Sequence, residues 1–230
     1  PVPPLTVTAA DGVRVLLEGV VDRVDLLEQD GKKYLRVIDY KSGQKKFDLS
    51  DLVYGMSTQM PIYLFALCDA QGEDVIPAGI LYMPARAQPV EAQRDEAPEK
   101  VASAFERKMR MDGLLLLDDT VLEAMEQNLA GQFIPVKKNK DNRLDTASRA
   151  HTATPEELEM LRQFLMKNAS EMAQALHHGQ IDNLPIFRSG ELGCRYCEFA
   201  AVCGREPDSK KQRDCPDLSR EEIFRRMGQR

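Results

Sequence analysis

The sequence lacks the marks of several large protein classes. No apolar run approaches the ~20 residues that a helix needs to cross a bilayer, so no membrane span is expected. The start, PVPPLTV, has neither the basic end nor the apolar stretch of a signal peptide. With Pro1 in first place, the chain is expected to be a piece of a longer polypeptide. No Walker-type G-x-x-x-x-G-K-[ST] occurs, so any ATPase motor lies elsewhere, and there is no internal repeat. Basic residues are in the minority, with 31 Lys and Arg against 37 Asp and Glu and a net charge of −6. This excludes a globally basic nucleic-acid binder but leaves room for a local basic patch. Histidine is scarce: His177 and His178 close a helical pattern, where the helix dipole accounts for them, and His151 is isolated. None is expected to be catalytic. Disulfides are not expected either. The five cysteines are Cys68, Cys194, Cys197, Cys203 and Cys215, an odd count clustered at one end, which favours metal ligation in a reducing, cytoplasmic compartment.

What is present suits a globular chain with a real core, one large domain or two small ones: 230 residues, 43% hydrophobic and 30% charged. From Val13 to Tyr40 the residues are dense in β-branched and aliphatic types around Asp30-Gly31, which predicts two long antiparallel strands and a tight turn. Leu52, Met56, Gln59, Met60 and Tyr63 recur at helical spacing, with Ser50 as a cap, Gly72 as a stop and Pro61 as a kink. VIPAGILYMP at 75–84 predicts a strand, and the polar stretch after it a loop. Helical patterns follow near 99–111 and 119–130, around an apolar run Leu114 to Leu117. The stretch 135–154 has no apolar periodicity and is expected to be a flexible connector or functional loop. Thr154-Pro155-Glu156-Glu157 opens a helix to about His178, and Ser219 with Glu222 opens a last short one. The fold class is α/β (α+β), divided as a main domain at 1–190 and a cysteine-rich tail at 191–230.

The hairpin carries the most informative carboxylates. A turn centred on Asp30-Gly31 places Asp22 opposite Asp39, and residues so opposed share a sheet face with Cβ atoms about 4.5–5.5 Å apart. Lys41, two residues beyond Asp39, shares that face. Two aspartates and a lysine so arranged make a divalent-metal site, with hard oxygens suited to Mg²⁺ or Mn²⁺; the bland alternative is an exposed strand face on which Asp39 pairs with Lys41. Cys194-x2-Cys197-x5-Cys203, flanked by Tyr196 and Phe199, has ligand spacing for zinc or an iron–sulfur centre, with Cys215 a candidate fourth ligand of a zinc site. Cys68 reads as a small core residue. Lys45 and Lys46 leave the proposed site directly, and Lys137, Lys138, Lys140 and Arg143 concentrate in the connector. Both groups are candidates for phosphate contacts.

GVVDRVD at 19–25, IDYKSG at 38–43 and QMPIY at 59–63, in that order and spacing, resemble the PD-(D/E)xK nuclease superfamily in its RecB-like branch. The resemblance implies a restriction-endonuclease-like core: a mixed central sheet with a long hairpin, flanked by helices. It implies that Asp22 and Asp39 bind the metal, that Lys41 is the catalytic lysine, and that Gln59 and Tyr63 serve the same site. The core followed by CRYCEFAAVC is similar to the AddB family, the second subunits of AddAB helicase–nucleases, and that likeness covers nearly the whole chain. It implies an Mg²⁺-dependent DNA exonuclease acting on single strands in double-strand-break repair and recombination, with an AddA-like partner. It further implies a [4Fe–4S] cluster in the full-length protein whose ligands include Cys194, Cys197 and Cys203. The family's fourth cysteine lies upstream and is absent here, so the cluster is expected to be incomplete or absent. A Cas4-like nuclease and a non-catalytic DNA-binding or assembly module are the alternatives.

Overall fold

A computed structural model describes all residues except 73, 196, 206–209 and 230; Tyr196 therefore lies outside the described residues. The chain opens with an antiparallel ribbon, β1 (Val2–Thr8) and β2 (Arg14–Gly19), with Thr8 opposite Arg14. The expected long first strand of the hairpin is thus two strands. It breaks at residues 20–22 and resumes as β3 (Arg23–Gln29), which pairs with β4 (Lys32–Lys41). Just before the break only glycine fits, because a Cβ at Gly19 would lie 1.8 Å from the Tyr63 hydroxyl. The strand end is pressed against a helix and leaves the plane of the hairpin there. The turn itself is as expected. Asp30 (φ 52°) and Gly31 (φ 74°) both take the left-handed conformation of a two-residue I′ turn, and Gln29 faces Lys32 while Arg23 faces Ile38.

Two helices lead from β4 to the next strand: α1 (Leu49–Val53) and α2 (Gln59–Gln71). The cap of α1 is Asp48, which accepts from the Ser50 N–H at 2.8 Å, rather than Ser50. The helical stretch splits at Gly55 (φ 79°) and Ser57 (φ 54°), ahead of Pro61. Pro61 sits in the first turn of α2, where its missing N–H breaks no helical bond. Then come β5 (Val75–Pro84), α3 (Pro98–Met109), β6 (Asp112–Leu116), α4 (Asp119–Met125), β7 (Thr152–Ala153) and α5 (Pro155–His177). The main sheet is mixed, in the order β3-β4-β5-β6-β7, with β5 parallel to β4, β6 antiparallel to β5 and β7 parallel to β6. The stretch after α5 holds β8 (Ile186–Arg188), β9 (Glu191–Leu192), α6 (Ala200–Cys203) and β10 (Arg213–Asp214), with the strands in the order β10-β8-β9, and ends in α7 (Arg220–Gly228).

The edge strand β3 is largely exposed, while the central strands β4, β5 and β6 are buried on both faces. On one, Val37, Ile80 and Leu114 stand in register and pack with Leu64 and Phe65 of α2, Leu161 and Leu165 of α5, and Ile223 and Met227 of α7. On the other, Ile38, Leu81 and Leu115 meet Leu122, Leu129, Ile134 and Val136. Each such side chain contributes roughly 1.5–3 kcal/mol by leaving water. The stretch 135–154 is not a loose connector. Val136 is fully buried, the Lys137 N–H donates to Ser148 Oγ at 2.7 Å, and residues 147–151 form a 3-10 turn before β7.

Candidate active site

Of the expected site residues, Asp39, Lys41, Lys45 and Gln59 come together where β4, β5 and the start of α2 converge. In the β4–β5 register Asp39 is paired with Tyr82, and in the β5–β6 register Tyr82 is paired with Asp112. These three therefore form one row across the sheet on the face that α2 covers. Lys41 lies two residues on from Asp39, its Nζ 2.6 Å from Asp39 Oδ2. Asp39 Oδ2 is shielded from solvent and lacks a partner with hydrogen-bond geometry, the lysine contact included. The Lys41 ammonium supplies the counter-charge that a shielded carboxylate oxygen needs, which is the strand-face pairing that the sequence also allowed. The β3–β4 ladder stops with Arg23 opposite Ile38, one residue short of Asp22 and Asp39. The Asp22 side chain is fixed beside β4, with Oδ2 accepting the Tyr40 N–H at 2.8 Å.

A cleft of about 300 Å³ opens at this point, lined by Asp39, Lys41, Lys45, Ser57, Thr58, Gln59, Met60 and Tyr82. The left-handed turn at Gly55 and Ser57 sets the N-terminus of α2 against the end of β4. Gln59 lines the cleft and donates from Nε2 to the Tyr63 hydroxyl at 3.0 Å. Tyr63 in turn lies on the Gly19 backbone, so the i, i+4 pair of α2 ties the cleft to the strand end just before Asp22. Asp22 and Tyr63 stand outside the cleft lining.

Lys45 holds its ammonium 4.4 Å from the Tyr82 ring centroid, closer than Lys41 at 6.0 Å. Burial, reinforced by the Lys41 charge, lowers its pKa, while Asp39 and Asp51 work the other way. Burial, with the Asp39 and Asp51 charges adding to it, pushes the Tyr82 hydroxyl up to about 12, so it stays neutral at physiological pH. Lys46 and Lys137 are exposed. Lys138 is not at the cleft; its Nζ lies 3.0 Å from Glu123 and 3.3 Å from Asp119 on α4. Tyr82, Ser57 and Thr58 were not expected from the sequence. Tyr82 could be found only once the parallel β4–β5 register was known.

The Asp22 and Asp39 oxygens suit Mg²⁺ or Mn²⁺; Asp39 Oδ2, shielded from solvent, has the Lys41 ammonium as its counter-charge here and is the oxygen that such an ion would share. The tail thiols are arranged differently. Cys194 is half-buried and Cys197 and Cys203 are exposed; the Cys197 N–H donates to the Cys194 carbonyl at 3.1 Å, and Cys203 Sγ accepts from Asn183 at 2.8 Å. Tetrahedral zinc would draw its sulfurs to roughly 4 Å apart, and among the described residues no three thiols come within 4.8 Å of one another. Cys215 is buried, donating to the Arg213 carbonyl. Cys68 is the core thiol expected of it; burial, with Asp69 adding, pushes its pKa up to about 12.

The family model of the PD-(D/E)XK nuclease superfamily matches residues 2–204. Among curated proteins, the chain is 38% identical over 212 residues to a protein of Moorella thermoacetica, a match that covers 89% of this chain and 18% of that protein. It is 33% identical over 213 residues to a protein of Caldanaerobacter subterraneus, covering 90% of this chain and 18% of the relative. A protein of Thermoanaerobacter pseudethanolicus is 34% identical over 206 residues, with 87% of this chain and 18% of the relative covered. All three relatives carry the name of the B-type subunit of an ATP-dependent helicase/deoxyribonuclease. The chain thus spans about a fifth of the length of the proteins it resembles.

Proposed function

The chain belongs to the PD-(D/E)XK nuclease superfamily, and from that premise we propose that it is a metal-dependent DNA exonuclease domain of a helicase–nuclease subunit. The observation that carries this reading is Asp39 Oδ2, buried and without a hydrogen-bond partner, beside the Lys41 ammonium in an open cleft. Asp22 and Asp39 would hold Mg²⁺ or Mn²⁺, which when bound supplies Lewis acidity at a phosphoryl oxygen and acidifies water. Lys41 positions the attacking water and stabilises the negative charge that develops on the phosphate oxygens. Gln59, fixed by Tyr63, orients the scissile phosphate from the opposite wall. Lys45 and Lys46, with Lys137 further off, take the neighbouring phosphates of a single strand. Lys138 is left out because two carboxylates already face it. An AddA-like helicase subunit would deliver the strand during double-strand-break repair. Cys194, Cys197 and Cys203 would supply three of the four thiolates of a [4Fe–4S] cluster, the fourth coming from outside these residues.

The test is cleavage of single-stranded DNA with Mg²⁺ or Mn²⁺ by this chain and by its Asp39→Ala and Lys41→Ala variants. Each variant is expected to lose at least about a hundredfold in rate, the scale of removing a preorganised charge-stabilising group. Equal cleavage by all three proteins rejects the assignment.

A further inference from the structure

A second group of metal-type ligands stands outside the cleft. Among the described residues, Asp11, His177 and His178 are the one set of three whose ligand atoms all lie within 4.8 Å of one another. Asp11 belongs to the turn between β1 and β2; the two histidines close α5. His177 Nδ1 lies 3.4 Å and His178 Nε2 3.1 Å from the same oxygen, Asp11 Oδ2. Only the His177 contact has the geometry of a hydrogen bond. The helix dipole explains one imidazole at this end of α5, but not two rings from adjacent residues converging on one carboxylate oxygen across a gap between elements.

We propose that Asp11, His177 and His178 form a site for a zinc-class divalent ion that clips the β1–β2 turn to the end of α5. A tetrahedral ion with bonds of about 2.0–2.2 Å separates its ligand atoms by roughly 3.3–3.5 Å, close to the two spacings found. Two imidazoles and a carboxylate select zinc, cobalt or nickel over Mg²⁺, which demands six oxygens. The site is thus chemically distinct from the one proposed at Asp39. Its carboxylate is already oriented, because Asp11 Oδ1 accepts the Val13 N–H at 3.2 Å, the kind of outer contact that fixes a metal ligand. The backbone is fixed on the other side too. The His178 N–H donates to the Gln174 carbonyl and the Gly179 N–H to the Leu176 carbonyl. A second fastening, Ser170 Oγ donating to the Thr8 carbonyl at 3.0 Å, holds the same two elements together further along α5. Three protein ligands leave a fourth position for water.

The chain has three histidines, which gives the test its own control. Imidazole resonances of the isotope-labelled protein are followed by NMR while zinc chloride is added in the presence of Mg²⁺. The His177 and His178 signals should shift together at micromolar zinc and the His151 signal should stay. Asp11→Asn and His178→Ala should each weaken binding more than about tenfold, since loss of even an outer-shell partner costs about 10–100-fold. Cobalt in place of zinc should give visible bands without thiolate charge transfer. Histidine signals that move only at millimolar zinc overturn the proposal, as does an Asp11→Asn variant that titrates like the parent. Cobalt spectra showing thiolate ligation alone would also overturn it. None of these outcomes depends on nuclease activity.

Discussion

Gly19 has no room for a side chain. In Gly19→Ala the new methyl would lie 1.8 Å from the Tyr63 hydroxyl, so the ring must swing out and give up its bond from Gln59. Overpacking of this kind costs about 1–3 kcal/mol, read as a lower urea midpoint. Adding Tyr63→Ala to Gly19→Ala should cost less than the two single changes together, the mark of direct contact. Glu126 is the other residue on which local structure depends. It is buried, and its carboxylate accepts the N–H groups of Gln132, Phe133 and Ile134 at 2.8–2.9 Å. Glu126→Ala leaves those donors without their charged acceptor and should cost about 2–4 kcal/mol. His151 gives a pH prediction. Burial opposes its charged form, but the Asp112 carboxylate 3.2 Å away, helped by the Gly113 carbonyl at 3.1 Å, outweighs that and raises its pKa above the usual 6.5. Its contribution to stability is therefore complete below about pH 6.5 and is lost as pH rises through the raised value. The gap in urea midpoint between the parent and His151→Gln should narrow from pH 6 to pH 8. The β3–β4 pairing was legible because a strand repeats every two residues and the Asp30-Gly31 turn fixes the register. Glu126 was not, since one acidic residue reaching three amides leaves no periodic trace.

The elements with strong ends were readable and those defined by crossings were not. Thr154 and Glu157 form the expected reciprocal cap, Thr154 Oγ1 accepting from the Glu157 N–H at 3.2 Å and Glu157 Oε2 from the Thr154 N–H at 2.9 Å. Glu157 also receives Arg220 of α7, so this cap joins two helices. Thr154→Ala should lower stability by about 1 kcal/mol, measured by urea unfolding. The last helix carries half of the same device, as Ser219 caps through the Glu222 N–H while the Glu222 carboxylate turns to Arg225 and Arg226. The break between α1 and α2 is not legible in the sequence, where Pro61 is the natural place for a kink. A proline in a first turn needs none, and the left-handed Ser57 beside Gly55 carries no distinctive residue signal. Residues 135–154 read as loose because their order comes from Ser148 and a few backbone bridges, not from an apolar stripe.

At the scale of the whole molecule, the stretch after α5 is held to α1 and the turn that follows it by Arg188, together with contacts of Tyr54 to Pro216 and Arg213 and of Ser50 to Leu218. Arg188 of β8 is almost buried; it pairs with Asp48, with Asp51 at 2.6 Å and with Asp217 at 3.0 Å, and donates to the Cys215 carbonyl at 2.9 Å. Asp48 caps α1, and Asp51 accepts from Ser57 of the cleft wall. Arg188→Gln should cost about 1–3 kcal/mol, allowing for the partial exposure of its partners. Limited proteolysis should then cut the tail near 189–215 faster than in the parent, with cleavage of DNA reduced as the wall of the cleft loosens. The ribbon of β1 and β2 is attached in another way. It shares no ladder with the main sheet and rests on α2 and α5 through side chains. Its amides should therefore exchange with deuterium as a cooperative group of their own, opening at lower free energy than those of β4 and β5. Each opening would lift the Gly19 backbone away from Tyr63, so the pace of this breathing would set how often the ring that steadies Gln59 loses its support.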